Sequence, residues 1–371
     1  MQRVLVTGAG GYIGVPLCER LLEAGYKVLA LDRFFFGLDK MGKLSSKPGL
    51  EILQEDIRYV DPAILRHVDA VFDLAGLSND ATAEIDPTLT TDINYAGAVR
   101  LARAAKEHGV RRYIYSSSAS VYGAGHKLGL TETDEIFPLT EYARSKAEVE
   151  RSILPLAASD FEVVILRNAT AYGLAPRMRF DLVINIMTMR AWKDRVIYVM
   201  GGGEQWRPLV HVQDIVEALL LALESPAEKV NGEIFNVGSE DQNYQIQQLV
   251  QFVVDIIPHV TVHRIPDDRD KRSYKLSFSK IREVLKFDPS RRVHEGVVEI
   301  KQALERSAVD PNDPRCFTLQ WYKSIIEWSE RIKKLTYKGV VLEASDSCRD
   351  AALLSTQSLP DEDVLTQRAA L

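Results

Sequence analysis

The chain has 371 residues, with 46 basic and 52 acidic side chains, a net charge of −6 and 46% hydrophobic residues. This composition is typical of a globular protein with one large or two ordinary domains, and it excludes disordered, collagen-like and coiled-coil architectures. The negative net charge offers no general attraction to nucleic acid or to an anionic membrane, so any recognition of phosphate has to be local.

The cysteines and the apolar segments indicate where the protein works. Cys18, Cys316 and Cys348 form neither a metal-binding spacing nor an even disulfide set. The first residues enter an apolar run without a charged leader, and no uncharged apolar stretch reaches the roughly 18 residues of a membrane span. We therefore expect a cytoplasmic protein with no metal, no membrane partner and no nucleic-acid partner.

The first half of the chain alternates short β-branched runs with helical periodicity. The pattern predicts a strand over 4–6, a helix over 15–24 that ends at Gly25, and a strand over 27–31. Further predicted strands cover 51–53, 70–74, 112–116 and 162–166, and further predicted helices cover 92–108 and 142–156. This alternation predicts an α/β fold built on a doubly wound parallel sheet of the Rossmann type.

Beyond about residue 170 the pattern becomes less regular. Pro, Gly and Arg are interleaved, while a strand near 234–237 and a helix near 246–254 still follow. We expect a smaller carboxyl-side α/β domain that is interleaved with the first. The last residues, 342–371, lack an apolar stripe and are expected to form a peripheral tail.

A glycine-rich loop follows the first predicted strand directly. It reads Thr7-Gly8-Ala9-Gly10-Gly11-Tyr12-Ile13-Gly14 and leads into the first predicted helix. Glycines at such a strand-to-helix turn let the backbone approach a pyrophosphate, and the start of the helix presents unpaired amides to its charge. A structural turn would also use glycine, but the strand before and the helix after favour a dinucleotide.

Asp32 stands at the end of the second predicted strand. A carboxylate at this position accepts hydrogen bonds from ribose hydroxyls and repels a 2′-phosphate, which favours NAD over NADP. Two alternatives stay open, because Asp32 could cap the next turn and the neighbouring Arg33 could accommodate a phosphate.

Tyr142 and Lys146 are four residues apart, so on a helix they share one face. A lysine ammonium beside a phenol stabilises the phenolate, and we expect it to lower the pKa of Tyr142 from about 10 towards the working pH. Ser116-Ser117-Ser118 closes the fifth predicted strand at its carboxyl end, where ligands bind in such sheets. Together these groups predict acid and base catalysis on a hydroxyl or carbonyl, although such a tyrosine and lysine alone are more often a surface pair.

In these motifs the chain resembles the extended short-chain dehydrogenase/reductases, in particular their nucleotide-sugar epimerase and dehydratase branch. The resemblance spans roughly residues 3–310, and its serine run is most similar to that of the UDP-glucose 4-epimerases. The motifs that carry it are the glycine loop, Asp56-Ile57-Arg58, Leu74-Ala75-Gly76, Asn94, Ser116 to Gly123, Tyr142 with Lys146, and Arg207 to Asp214.

The resemblance implies NAD as the cofactor and assigns positions to it. Asp56 and Ile57 would face the adenine, and Lys146 would also hold the nicotinamide ribose. The full set of expected cofactor residues is Gly8, Gly11, Tyr12, Ile13, Gly14, Asp32, Arg33, Asp56, Ile57, Leu74, Ala75, Gly76, Asn94, Ser116, Tyr142 and Lys146. Ser118 and Tyr142 would flank the reacting hydroxyl, so Ser118, Tyr142 and Lys146 are the expected catalytic residues.

The resemblance also implies a nucleotide-diphosphate sugar as substrate. The expected substrate contacts are Ser118, Thr170, Arg179, Asn185, Arg207 and Arg272, since arginine suits phosphate and the family asparagine at Asn185 holds the diphosphate. Thr170 replaces an asparagine of the family, which leaves the sugar contact there open. Trp206 and Tyr244 could stack on a base or pack in a core, and His211 is expected to be structural.

The residues after Ser118 distinguish among the reactions of the family. Family dehydratases carry Asp-Glu there, whereas this chain has Ala119 and Ser120, and a 3,5-epimerase would carry cysteine at position 120. The expected function is therefore an NAD-dependent epimerase that oxidises sugar carbon 4 transiently, with Tyr142 as acid and base. The alternative is an NAD(P)H-dependent reductase or dehydrogenase of a 4-keto nucleotide sugar or another carbonyl, and a cofactor sensor is less favoured because tyrosine and lysine are both present.

The resemblance completes the expected organisation. Residues 1–170 would bind NAD together with returning segments near 205–245, residues 171–204 and 246–320 would bind substrate, and residues 321–371 would form a terminal helix and tail. The family also implies a homodimer formed through the helices that contain Asn94 and Tyr142.

Overall fold

The computed structural model describes residues 2–125, 127–266, 272–337 and 341. By the contacts within it, the chain divides into one unit over Met1–Trp321 and a second over Tyr322–Leu371. Residues 342–371, for which a peripheral tail was predicted, and Cys348 lie outside the described residues.

Strands and helices alternate along most of the chain. The strands are β1 Arg3–Thr7, β2 Lys27–Asp32, β3 Leu50–Gln54, β4 Ala70–Asp73, β5 Arg112–Ser118, β6 Leu128–Leu130, β7 Glu162–Asn168, β8 Thr170–Tyr172, β9 Val196–Met200, β10 Trp206–His211, β11 Glu233–Val237, β12 Asn243–Gln245, β13 Thr261–Ile265 and β14 Lys275–Leu276. The α-helices are α1 Gly14–Glu23, α2 Asp80–Ala83, α3 Pro87–Thr90, α4 Ala98–Glu107, α5 Glu141–Ile153, α6 Val183–Asp194, α7 Val212–Glu224, α8 Ala227–Val230, α9 Ile246–Ile256, α10 Ser279–Leu285, α11 Val293–Glu305 and α12 Thr318–Leu335. A π-helical turn, Thr91–Gly97, joins α3 to α4, and short 3-10 helices cover Leu38–Ser46, Pro62–Leu65, Ala119–Tyr122, Leu154–Leu156, Gly201–Gly203, Glu240–Gln242 and Pro314–Cys316.

Seven parallel strands form the central sheet, in the order β3-β2-β1-β4-β5-β7-β11. This confirms the predicted doubly wound fold. The chain continues from β1 to β2 on one side and from β4 to β5 on the other, so the strand order reverses between β1 and β4. The carboxyl ends of the strands at such a reversal form the crevice in which ligands bind.

Apolar cores cover both faces of this sheet. Val4 and Val6 of β1 belong to one core, whereas Leu5 between them belongs to the other. Strands buried on both faces have to be apolar at every position, which is why the sequence shows continuous apolar runs there. At the end of α1, Gly25 has φ +89°, a left-handed conformation that explains the predicted helix end.

The carboxyl-side part is built from smaller sheets around a third core. Strands β12, β10 and β8 form one sheet, and β13 pairs with β9. A core that includes Tyr172, Ile184 and Leu249 lies between these strands and the nearby helices. The smaller part is interleaved with the larger, because β11 returns to the edge of the central sheet beside β7. Among the residues that the structure describes, no helix is long and apolar enough to span a bilayer.

Candidate active site

The glycine loop packs tightly against the carboxyl end of β4. Gly8 has φ +68°, and a β-carbon there would lie 2.8 Å from the carbonyl oxygen of Leu74. A β-carbon at Gly14 would lie 2.1 Å from the carbonyl oxygen of Gly8, while the Gly11 amide donates to that same oxygen at 3.0 Å. Since α1 begins at Gly14, its first amides face a loop whose critical positions exclude side chains, and this arrangement fits a pyrophosphate.

A buried pair, Thr7 and Asp73, connects the start of this loop to the end of β4. Thr7 Oγ1 donates to Asp73 Oδ1 at 2.8 Å and accepts from the amides of Leu74 and Ala75 at 3.2 Å. Tyr113 Oη donates to the other carboxylate oxygen of Asp73 at 2.6 Å. Burial raises the pKa of the Asp73 carboxyl. The sequence reasoning missed this pair, although Asp73 is a polar residue in the otherwise apolar strand β4.

Asp32 lies at the carboxyl end of β2, next to the glycine loop. Its carboxylate accepts from the Gly10 amide at 3.0 Å and from the Phe34 amide at 2.6 Å, and burial raises its pKa. Asp32 therefore caps the turn at Phe34, which was one of the two open alternatives. Arg33 stacks on Phe35 at 5.1 Å and lies 3.7 Å from Asp56, so its charge is partly compensated.

The other residues expected at the cofactor line the same end of the sheet. Asn94 clamps the chain after β4, accepting from the Leu77 amide at 2.7 Å and donating to its carbonyl oxygen at 3.1 Å. Its Oδ1 would lie 3.0 Å from a β-carbon at Gly76, so a side chain at position 76 would crowd Asn94. Asp56 is bound by Arg58, through the amide and two guanidinium nitrogens at 2.9 to 3.0 Å. Ile57 is buried in the core.

Ser118, Tyr142 and Lys146 come together where β5 meets α5. Thr140 caps α5, because its Oγ1 accepts from the Ala143 amide at 3.2 Å, and this places Tyr142 in the first turn. The Ser118 side chain lies near the Tyr142 hydroxyl, as its effect on the pKa of that group indicates. Lys146 Nζ donates to the Ser116 carbonyl oxygen at 2.7 Å and lies 5.9 Å from the centre of the Tyr142 ring. The sequence-predicted catalytic residues thus form one cluster.

The ionisation of this cluster differs from the sequence-based expectation. Burial, and after it the charge of Asp80, raise the pKa of Tyr142 to about 12, whereas Arg179 and Ser118 lower it. The expected lowering by Lys146 is therefore wrong for this structure, because burial of the phenol outweighs nearby positive charge. Burial lowers the pKa of Lys146 to about 8, against the opposing effects of Asp73 and Glu150.

A buried ionic network joins α5 to β5 and β7, and the sequence reasoning did not find it. Arg167 donates to Glu150 at 2.7 to 3.1 Å, and its Nη1 donates to Tyr122 Oη at 2.9 Å. Ser117 Oγ donates to Glu150 at 2.5 Å. Glu150 follows Lys146 by one helical turn, so this network fixes α5 against β5 and β7. The signal in the sequence was a charged residue on the same helix face as Lys146.

Two of the expected substrate residues are engaged within the carboxyl-side part. Arg179 forms two hydrogen bonds with Asp181, at 2.9 and 3.0 Å. Asn185 is fully buried; it accepts from the Gly173 amide at 3.0 Å and donates to the Arg179 carbonyl oxygen at 2.9 Å and to Tyr12 Oη at 3.2 Å. Tyr12 in turn donates to the Gly173 carbonyl oxygen at 2.6 Å, which links the glycine loop to this part.

The remaining expected substrate residues lie on β8, on β10 and just before β14. Thr170 is half-buried on β8 and pairs with Leu209 of β10. Arg207 is buried on β10 and donates to the carbonyl oxygens of Trp206, at 2.9 Å, and of Arg272. The Arg272 guanidinium forms an ion pair with Asp80, a residue that the sequence reasoning did not single out.

The two large aromatic residues considered as base platforms have different surroundings. Trp206 lines a cleft of about 250 Å³ together with Tyr274, and Lys275 Nζ lies 4.8 Å above its ring. Tyr244 packs edge-on against Phe252, with the centres of the two rings 5.2 Å apart. His211 is buried and bonds to Glu299 at 2.7 Å, so it has the surroundings of a structural histidine.

Comparisons with known proteins agree with this geometry. A family model described as "NAD dependent epimerase/dehydratase family" matches residues 4–238. The chain is 28% identical over 342 residues to UDP-N-acetyl-alpha-D-glucosaminuronate decarboxylase of Bacillus cytotoxicus, covering 87% of this chain and 98% of that relative. It is 29% identical over 307 residues to UDP-glucose 4-epimerase of Mycolicibacterium smegmatis, covering 80% and 97%. A solved structure of MoeE5 in complex with UDP-glucuronic acid and NAD is similar with a TM-score of 0.70 and 28% identity, covering 82% of this chain and 99% of that one.

Proposed function

Because the chain belongs to the NAD dependent epimerase/dehydratase family, we propose that it is a nucleotide-sugar 4-epimerase that oxidises carbon 4 of the sugar transiently. The observation that carries the proposal is the cluster of Ser118, Tyr142 and Lys146, followed by a turn that has no acidic residue. Ala119 and Ser120 occupy that turn, so carboxylate chemistry for removing water is missing beside Ser118.

The residues of the cluster have distinct tasks in this mechanism. The glycine loop, Asp32 and Lys146 would hold NAD, which would supply a hydride acceptor for carbon 4 of the sugar. Tyr142 takes the proton of the 4-hydroxyl as its base and gives it back as its acid, while Ser118 holds the same oxygen by a hydrogen bond. A phenol with a pKa of about 12 needs positive charge nearby to release its proton, and Arg179 lowers the pKa of Tyr142 in this way. The Lys146 ammonium lies 5.9 Å from the centre of the Tyr142 ring.

The proposal is tested by replacing Tyr142 with Phe. Tyr142→Phe should lower turnover by at least about a hundredfold, because the acid and base is lost while NAD binding is kept. Tyr59→Phe removes the same atom from an exposed tyrosine and serves as the matched control. Turnover near the wild-type rate in Tyr142→Phe would refute the assignment.

The cofactor content of the purified protein separates the epimerase from a reductase or dehydrogenase. An epimerase regenerates its cofactor in every cycle, so we expect close to one NAD per chain after purification without added cofactor and denaturation. Little bound nucleotide would instead favour exchange of NAD(H) with solution, and bound NADP would overturn the role of Asp32. One relative is named a decarboxylase, and product analysis by mass distinguishes decarboxylation through the loss of carbon dioxide.

We also propose a homodimer. The π-helical turn that contains Asn94 packs against α5, which contains Tyr142, so both helices implied in family dimers form one layer of the structure. Sedimentation at micromolar concentration tests this proposal, and a strict monomer would refute it.

A further inference from the structure

Asp80 links the helix that carries Tyr142 to Arg272. Its carboxylate accepts hydrogen bonds from Thr140 Oγ1 and from Arg272 Nη1, and its side chain is 19% exposed. Thr140 is the cap of α5 and precedes Tyr142 by two residues. Asp80 therefore lies between the start of the catalytic helix and an arginine from the carboxyl-side part.

This position places Asp80 beside the hexose of a bound substrate. The proposed function puts the 4-hydroxyl at Tyr142, and Arg272 is expected to contact the diphosphate. A hexose whose two ends meet those residues has to occupy the space between them, which Asp80 borders through its contacts on both sides. The charge of Asp80 also contributes to the raised pKa of Tyr142, in agreement with their proximity.

Arg179, the cation that lowers the pKa of Tyr142, is paired with a different carboxylate. Arg179 makes two hydrogen bonds with Asp181, and Asn79 Nδ2 donates to the same carboxylate at 2.7 Å. Among the described residues, the cation paired with Asp80 is Arg272. When a diphosphate attracts Arg272, Asp80 is left with a negative charge that faces the hexose.

We propose that Asp80 is a specificity-determining residue that selects nucleotide sugars whose hexose carries no carboxylate; this inference rests on the proposed function. Hydroxyl and acetamido groups donate hydrogen bonds to a carboxylate, and charge-assisted bonds of this kind are strong. A uronic acid would instead bring a second negative charge into a partly buried site, and such repulsion is a common means of excluding a competitor.

Equilibrium binding of two matched probes tests the inference. UDP-glucose and UDP-glucuronic acid share one diphosphate, so the ratio of their dissociation constants cancels any change in the contact of Arg272 with phosphate. Wild-type protein loaded with NAD should bind UDP-glucose at least about tenfold more tightly, the size of effect expected for like charges at a partly buried site. Asp80→Asn keeps an acceptor for Thr140, and it should reduce the ratio to near one by strengthening the binding of UDP-glucuronic acid.

A neighbouring carboxylate provides the control. Glu84 follows Asp80 by one turn and accepts from the Glu141 amide at 3.2 Å, so it also touches α5 but does not pair with Arg272. Glu84→Gln should keep the wild-type ratio. Asp80→Ser provides a second variant if the thermal midpoint of Asp80→Asn falls well below that of wild type.

Several results would overturn the inference: a wild-type ratio near one, a preference for UDP-glucuronic acid, or the same ratio in both Asp80 variants as in wild type. The proposed function is tested separately by turnover. Epimerisation of UDP-glucuronic acid at least as fast as UDP-glucose would overturn the role of Asp80 and leave the epimerase standing. Selective binding of UDP-glucose without conversion would support the role of Asp80 and count against the epimerase.

Discussion

Arg167 of β7 and Glu150, on the helix that carries Tyr142 and Lys146, form an ion pair with Arg167 Nη2 2.7 Å from Glu150 Oε2. Each side chain is only 4% exposed. Removal of one partner from a buried pair leaves an uncompensated charge, so Arg167→Met should lower the free energy of unfolding by about 3–5 kcal/mol. Urea denaturation followed by circular dichroism measures this loss.

An exposed pair on the same helix is the control for that measurement. Arg151 and Glu148 are three residues apart, and both side chains are more than half exposed. Because water screens such a pair, Arg151→Met should cost less than about 1 kcal/mol. The double variant Glu150→Leu with Arg167→Met should be less damaged than Arg167→Met alone, since no buried charge remains unpaired. Equal losses in the buried and exposed variants would contradict this account.

Lys146 should give the protein a distinctive dependence of stability on pH. Burial lowers its pKa from 10.5 to about 8 in the folded protein. Between these two values the unfolded chain holds a proton that the folded chain has released, so stability rises with pH by about 1.4 kcal/mol per unit from this group. Below pH 8 both states are protonated, and the contribution is constant.

The comparison of wild type with Lys146→Met isolates this effect, because the other titrating groups are common to both proteins. The unfolding free energy of wild type minus that of Lys146→Met should increase by about 2 kcal/mol between pH 8 and pH 10. Denaturant titrations at pH 7, 8, 9 and 10 provide the measurement. A difference that stays flat over this range would mean that Lys146 keeps an ordinary pKa in the folded state.

The sequence predicted the sheet well because its signals are local. The apolar runs at 4–6 and 27–31 extend by only one or two residues in β1 and β2, and the glycine loop lies between β1 and α1 as expected. The predicted helix over 92–108 is longer and begins at Pro87, because Asp86 caps α3 and the π-helical turn continues it into α4. Patterns within a dozen residues were sufficient for these elements.

The network around the site could not be predicted in the same way, because its members are distant in the chain. Asp80 meets Arg272 across 192 positions, and Thr7 meets Asp73 across 66. No local spacing connects such residues, so their roles became visible only in the folded chain. Ionisation shows the same limit: the spacing of Tyr142 and Lys146 suggested a lowered phenol pKa, while the burial that raises it depends on the packing of the whole site.

Gly14 should be indispensable for holding NAD, because the loop around it has no room for a side chain. A β-carbon at Gly14 would lie 2.1 Å from the Gly8 carbonyl oxygen and 2.8 Å from Ala9 Cα, both of them backbone atoms that cannot move independently of the loop. We expect Gly14→Ala to reduce the NAD released on denaturation to below about a tenth of one equivalent, since the amides at the helix start lose their arrangement.

Gly25 ends the same helix, where nothing lies within 4 Å of an added β-carbon. Gly25→Ala should therefore keep its NAD and lose only about 1 kcal/mol of stability from its left-handed backbone. A Gly14→Ala protein with a full complement of NAD would show that the loop does not hold the pyrophosphate.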